Sequence, residues 1–227
     1  MKKHSEIDWI FFDVGGVLAD NFAFEEWRVK SILLATNKFD SNITEAEVRK
    51  SIIEASGILG SLSKNTVRLL LKKEEENIIA QAEKETEKEM KIIWDTDFKV
   101  LSVIRPEALD IVSELSKEYS LGIIANQAIE VKEKLEKAKL LKYFKNLGIS
   151  EKHGFHKPDP KLFEIVLSES GADPKRSVMI DDNIDRGLAP AMKFGMKTVW
   201  YDLGTRKYAP DWIDFKIKNL KDLINIF

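Results

Sequence analysis

The chain has 227 residues, room for one large or two small domains, and its 44% apolar and 33% charged residues are a globular composition. Lysine plus arginine (36) nearly balance aspartate plus glutamate (38), which leaves no cationic excess for nucleic-acid phosphates, so no nucleic-acid partner is expected. Cysteine is absent, which excludes thiol catalysis, disulfides and cysteine-ligated metals and suits a cytoplasmic setting.

Taken in chain order, the basic flank of residues 1–3 is followed by an apolar run, Trp9 to Phe12, that Asp13 ends after four residues. Such a run is too short for a signal peptide or a membrane span and predicts a strand, with Gly15-Gly16 as the turn after it. Residues 21–104 contain no proline and no convincing strand, and their apolar residues recur at helical spacing. One helix holds Trp27, Ser31, Leu34 and Lys38 beside Ile32, Ala35 and Phe39. A second carries Val48, Ile52, Ile53 and Ala55 behind a Thr44–Glu47 capping box. A third runs through Val67, Leu70, Leu71, Ile78, Ile79 and Ala82, and its charge runs at 72–76 and 83–91 read as a solvated face.

After Arg105-Pro106 strands and helices alternate. Helices are predicted at 107–119, 129–138, 160–170 and 187–194, and strands at 121–125, 147–149, 178–180 and 198–201. A brief strand and a closing helix occupy 214–227. This pattern predicts an α/β core of residues 1–20 and 105–227, built on a parallel sheet with helices on both faces. A smaller all-helical domain, 21–104, interrupts it after the first strand.

In such sheets ligands bind beyond the carboxyl ends of the strands, near the point where strand order reverses. The residues just past each predicted strand are Asp13, then Ala125-Asn126, then a loop with Lys157-Pro158, then Asp181-Asp182 with Asp185 close behind. Singly, each has an ordinary explanation: an Asp-Gly turn, a pair of helix caps, a surface lysine. Together they place three carboxylates and one ammonium at a single sheet edge. Close carboxylates repel unless a cation neutralises them, and a hard cation with oxygen ligands, Mg²⁺, suits that donor set together with a phosphate. The histidines form no comparable arrangement, and His156 reads as structural or solvent-facing.

The segments FFDVGGVLAD, LGIIANQ, HKPDPKLFE and SVMIDDNIDRGLAPAMKFGMKTVW resemble, in order and spacing, the four motifs of the haloacid dehalogenase (HAD) superfamily. The resemblance implies a Rossmann-like core, with residues 21–104 as the helical cap that many members carry after the first motif. It also implies that Asp13 is a nucleophile forming an aspartyl-phosphate, and that Lys157 holds Asp13 and the phosphate. Asp181, Asp182, Asp13 and the carbonyl of Gly15 would bind Mg²⁺. Asp185 approximates the trailing acid of the fourth motif, although the following helix is one residue out of step.

Two positions depart from the family pattern. Gly15 stands where phosphatases have a second aspartate that protonates the leaving group, and Ala125 stands where a serine or threonine binds phosphate. A missing general acid costs on the order of 10²–10⁴ in rate, and a lost charge-assisted hydrogen bond roughly 1.5–3 kcal/mol. The backbone N–H of Asn126 remains able to donate to a phosphate. The expected activity is a Mg²⁺-dependent phosphatase of a small phosphorylated metabolite, with the cap closing over Asp13 and Phe22, Phe24, Trp27 and Arg28 as candidate substrate contacts. The alternatives are a 2-haloacid dehalogenase-type hydrolase and a weakened module that binds a phospho-ligand or protein. No oligomeric state is predicted.

Overall fold

The computed structural model describes residues 4–204 and 206–227, with 92–101 described by backbone alone. The basic flank at 1–3 therefore lies outside the described residues. The chain divides into two compact units, Met1–Asp20 with Ile104–Phe227, and Asn21–Val103.

The first unit is built on β1 (Trp9–Phe12), and the second comprises α1 (Phe22–Thr36), α2 (Glu45–Ala55), α3 (Leu62–Leu70) and α4 (Glu76–Leu101). Two short strands, β2 (Ala19–Asp20) and β3 (Val103–Ile104), pair where the sequence predicted none. The core continues through α5 (Ala108–Leu115), β4 (Ser120–Ala125), α6 (Val131–Lys137), β5 (Phe144–Ile149), α7 (Ser150–His153) and α8 (Pro160–Ser170). It ends with β6 (Ser177–Asp181), α9 (Ala189–Lys193), β7 (Lys197–Tyr201), β8 (Phe215–Ile217) and α10 (Asp222–Ile226).

Six of the strands form one parallel sheet in the order β5-β4-β1-β6-β7-β8. Successive strands progress outward on both sides of β1, so the order reverses there. Phe12 is level with Ile123 of β4 and Ile180 of β6, and the carboxyl ends of these three strands open onto the same edge.

Both faces of the sheet are covered, and the period-2 alternation of strand side chains shows it. Ile10, Phe12, Leu121, Ile123, Val178, Ile180 and Val199 pack on one side with Val112 and Leu115 of α5, Leu135 of α6 and Leu223 of α10. Phe11, Ile124, Met179 and Trp200 pack on the other with Leu162, Phe163 and Val166 of α8 and Ala191 of α9. Each such buried side chain contributes about 1.5–3 kcal/mol, which fixes the register of the strands and hence the place of whatever follows them.

The helical unit corrects the sequence reading at two points. α1 ends at Thr36, so Lys38 and Phe39 lie beyond it; its buried face is Val29, Ser31, Ile32, Ala35 and Thr36, and Leu34 is exposed. The predicted third helix is two, α3 and α4, broken at 71–75 with no glycine or proline to mark the break. A continuous rod would leave its apolar stripe in water. The turn instead lets Val67 and Leu71 bury against Ile79 and Ala82, and ion pairs Arg68–Glu83 (2.7 Å) and Lys64–Glu87 (2.8 Å) tie the two helices. The Thr44–Glu47 capping box of α2 is present in both directions. Among the described residues no helix is long and apolar enough to cross a membrane.

In the core, predicted 107–119 shortens to α5, and predicted 187–194 becomes a π-helical turn, Ile184–Leu188, followed by α9. The π turn absorbs one additional residue. That is the physical basis of the one-residue offset noted after Asp182.

Candidate active site

Asp13 follows β1 directly, and its N–H donates to the carbonyl of Ile180, the residue before Asp181 (2.9 Å). This bond holds the two acidic positions side by side. Lys157 reaches them from the loop before α8, which Asp159 caps by accepting from the N–H of Lys161 (2.9 Å). The Lys157 ammonium lies 3.0 Å from Asp13 Oδ1 and 2.6 Å from Asp181 Oδ2, and it is only 2% exposed. A lysine this buried is rare unless paired, and here two carboxylates pair it.

Asp182 completes the cluster. Asp13, Asp181 and Asp182 each offer a carboxylate oxygen within 4.8 Å of the others. Burial pushes Asp13 up from 3.8 to about 6, with Lys157 pulling it back and Asp181 pushing it further up. Burial also lifts Asp182 well above the carboxylate range, reinforced by Asp181 and Asp13. For Lys157 burial acts downward, but Asp13 and Asp181 outweigh it and the ammonium is held above its ordinary value. Three carboxylates with one ammonium are short of positive charge.

The donor set fits a hard divalent cation. The three side chains offer oxygen alone, and Asp182 Oδ1 is shut off from solvent with no hydrogen-bond partner. A buried, unpartnered carboxylate oxygen is costly, and a cation at this point would satisfy it.

The remaining predicted residues fall as follows. Gly15 lies in the loop after Asp13 and bridges to Ala19. Ala125, fully buried, is the last residue of β4 and brings no hydroxyl. The side chain of Asn126 clamps the backbone of Lys157: its Nδ2 donates to the Lys157 carbonyl (2.9 Å) and its Oδ1 accepts from the Lys157 N–H (2.7 Å). Asp185 is not in the acidic cluster, and it pairs with Arg206 instead. His156 is exposed. Phe22, Phe24, Trp27 and Arg28 all lie on α1 of the helical unit, where Phe22 is exposed and Arg28 stacks over Phe24 and pairs with Glu25 (3.0 Å).

Four supporting roles escaped the sequence reading, which had Gly16 only as a turn residue. Asn183 donates its N–H to Asp181 Oδ1 (2.8 Å), fixing the carboxylate from the side opposite Lys157. Arg105 donates to the carbonyls of Gly16 (3.1 Å) and Val17 (3.0 Å) and so braces the loop after Asp13. Gly16 has φ +82°, and a Cβ there would stand 2.5 Å from Asp182 Cγ. At Gly187 a Cβ would stand 1.9 Å from Asp181 Oδ2. The signal for Gly187 was a glycine at the first residue of the predicted helix 187–194, where it marks a close backbone approach.

Residues 7–195 match the family described as haloacid dehalogenase-like hydrolase. The glyceraldehyde 3-phosphate phosphatase of Pyrococcus furiosus is 31% identical over 140 residues, which cover 58% of this chain and 57% of that one. The aligned stretch thus spans little more than half of that relative. The protein of the same description from Methanothermobacter thermautotrophicus is 27% identical over 196 residues, covering 84% and 83% of the two chains. Among solved structures, a HAD phosphatase from Thermococcus onnurineus superposes with a TM-score of 0.61 at 21% identity over 97% of both chains, a likeness of fold.

Proposed function

The chain belongs to the haloacid dehalogenase-like hydrolase family, and we propose that within it the protein is a Mg²⁺-dependent phosphatase of a small phosphorylated metabolite. The observation that carries this reading is the acidic cluster, Asp13, Asp181 and Asp182, closed from one side by the buried ammonium of Lys157. The phosphatase names of relatives that are 31% and 27% identical support it further. A dehalogenase of this fold needs no metal and hence no such pair as Asp181-Asp182.

In this reading the carboxylates of Asp13, Asp181 and Asp182 and the carbonyl of Gly15 hold Mg²⁺, and the cation supplies charge neutralisation for the phosphoryl oxygens. Asp13 attacks phosphorus while the bond to the leaving oxygen breaks, giving an aspartyl-phosphate that water hydrolyses to free phosphate and regenerated Asp13. Lys157 holds the attacking carboxylate and takes up charge on the phosphoryl group. Asn126 is a positioning residue through its clamp on the Lys157 backbone, and its own N–H donates to the phosphate in place of a hydroxyl at 125. Residues 1–20 and 105–227 form the catalytic core and 21–104 the substrate-selecting cap. The protein is proposed to work in the cytoplasm.

The test is release of phosphate from an aryl phosphate by the pure protein with Mg²⁺, with chelator, and with Asp13→Asn. Release that requires Mg²⁺ and disappears in the variant supports the reading. Release by Asp13→Asn at the parent rate overturns it, as does chloride release from a 2-haloacid without any phosphate release.

A further inference from the structure

The acidic cluster has a second cation beside it that the sequence motifs did not assign. Arg186 sits four residues after Asp182 in the π turn Ile184–Leu188 and is half-buried. Its place is fixed by a chain of short bonds. Asn183 donates its N–H to Asp181 Oδ1 (2.8 Å), and Asn183 Oδ1 accepts from the Arg186 N–H (2.8 Å). The next residue, Gly187, presses its backbone against the Asp181 carboxylate so closely that no Cβ fits between them. The backbone of Arg186 is therefore held beside the same acidic edge. Its charge favours the ionised forms of Asp13 and Asp182 and opposes that of Lys157.

Its guanidinium is nevertheless unused. Among the described residues it forms no ion pair and donates no side-chain hydrogen bond, and the adjacent acid, Asp185, is taken by Arg206. An unpaired, half-buried arginine with planar donors is suited to a bidentate oxyanion. The site also lacks one phosphate donor, since Ala125 offers no hydroxyl. Once a divalent cation joins Lys157 and Arg186, positive charge exceeds the three carboxylates and an anion is drawn in.

We propose that Arg186 is a phosphate-binding residue of this site, donating to phosphoryl oxygens alongside the N–H of Asn126 where position 125 brings no hydroxyl. This rests on the phosphatase reading. It separates two effects of one charge: Arg186 favours the anion and, being cationic beside carboxylates, opposes the metal.

The experiment is calorimetric titration of Mg²⁺ alone, and of inorganic phosphate with Mg²⁺ saturating, on the parent protein and on Arg186→Met, Arg186→Lys and Arg186→Met/Ala125→Ser. Melting temperature serves as the folding control. The expected result is phosphate binding weakened by about 10- to 100-fold in Arg186→Met, part of it restored in Arg186→Lys and in the double variant. Mg²⁺ binding to Arg186→Met should be unchanged or tighter. A purely structural arginine would weaken both ligands together, and that result overturns the proposal. So does unchanged phosphate affinity in Arg186→Met while the parent binds phosphate normally, which leaves the phosphatase reading standing. Failure of the parent itself to bind phosphate with Mg²⁺ removes that reading and the proposal with it.

Discussion

Replacing Lys157 with methionine keeps the side-chain volume close to the original and removes only the charge between Asp13 and Asp181. Both partner carboxylates are almost wholly buried, with side-chain exposures of 7% and 1%, and both lie within 3.0 Å of the ammonium. Taking one partner from a buried ion pair costs about 3–5 kcal/mol, because an uncompensated charge stays behind. That is a large part of the roughly 5–15 kcal/mol that holds a protein of this kind folded. The stranded carboxylates escape the cost by binding protons. Asp13 sits at about 6 even with the ammonium beside it and rises further without it, so the penalty is full only above neutrality and shrinks as pH falls through about 6. Urea unfolding in chelator therefore gives a much lower midpoint for Lys157→Met than for the parent at mildly alkaline pH. The gap narrows toward neutrality and further in acid, and adding Mg²⁺ at mildly alkaline pH narrows it too. Equal midpoints for the two proteins at mildly alkaline pH in chelator would refute the argument, for the ammonium would then be compensating nothing.

Gly16→Ala and Gly187→Ala each push a methyl group into a site carboxylate, so both should lower Mg²⁺ affinity in calorimetry while far-ultraviolet circular dichroism stays that of the parent. Metal binding at parent strength in both would contradict the packing argument. Asp13, lifted from 3.8 to about 6 by burial, binds its proton more tightly folded than unfolded. The metal-free protein thus loses stability as pH rises through that window and holds the lower value above it, whereas Asp13→Asn loses this component. A melting-temperature difference between the two that does not change from about pH 4 to 7 would contradict that assignment. With Gly15 in place of a proton donor, rates should fall steeply as the leaving group becomes more basic. Alkyl phosphates hydrolysed as fast as aryl phosphates would mean that another group supplies the proton.

The core was legible because its signals are redundant. The apolar run from Trp9 to Phe12 that Asp13 ends, the proline at the start of α8 and the glycine at its end each specify an element independently. The order of Asp13, Asn126, Lys157 and Asp181 after successive strands then followed from the parallel topology alone. Less was legible where long-range packing decides. The break between α3 and α4 exists because Val67 and Leu71 meet Ile79 and Ala82 across the turn, which no local residue announces. The π turn after Asp182 looked like a motif out of step, and Asp185 looked like a site acid until Arg206, distant in sequence, claimed it. The clamp of Asn126 on Lys157 joins residues 31 positions apart and is invisible to spacing.

Attack of Asp13 on phosphorus is tested most directly by acid-quenching the enzyme during turnover of an aryl phosphate, followed by peptide mass analysis. One phosphoryl group, labile to base, is expected on the carboxylate of Asp13 in the parent and none in Asp13→Asn. Sustained phosphate release with no phosphorylated Asp13, or with the phosphoryl group on another residue, would contradict it.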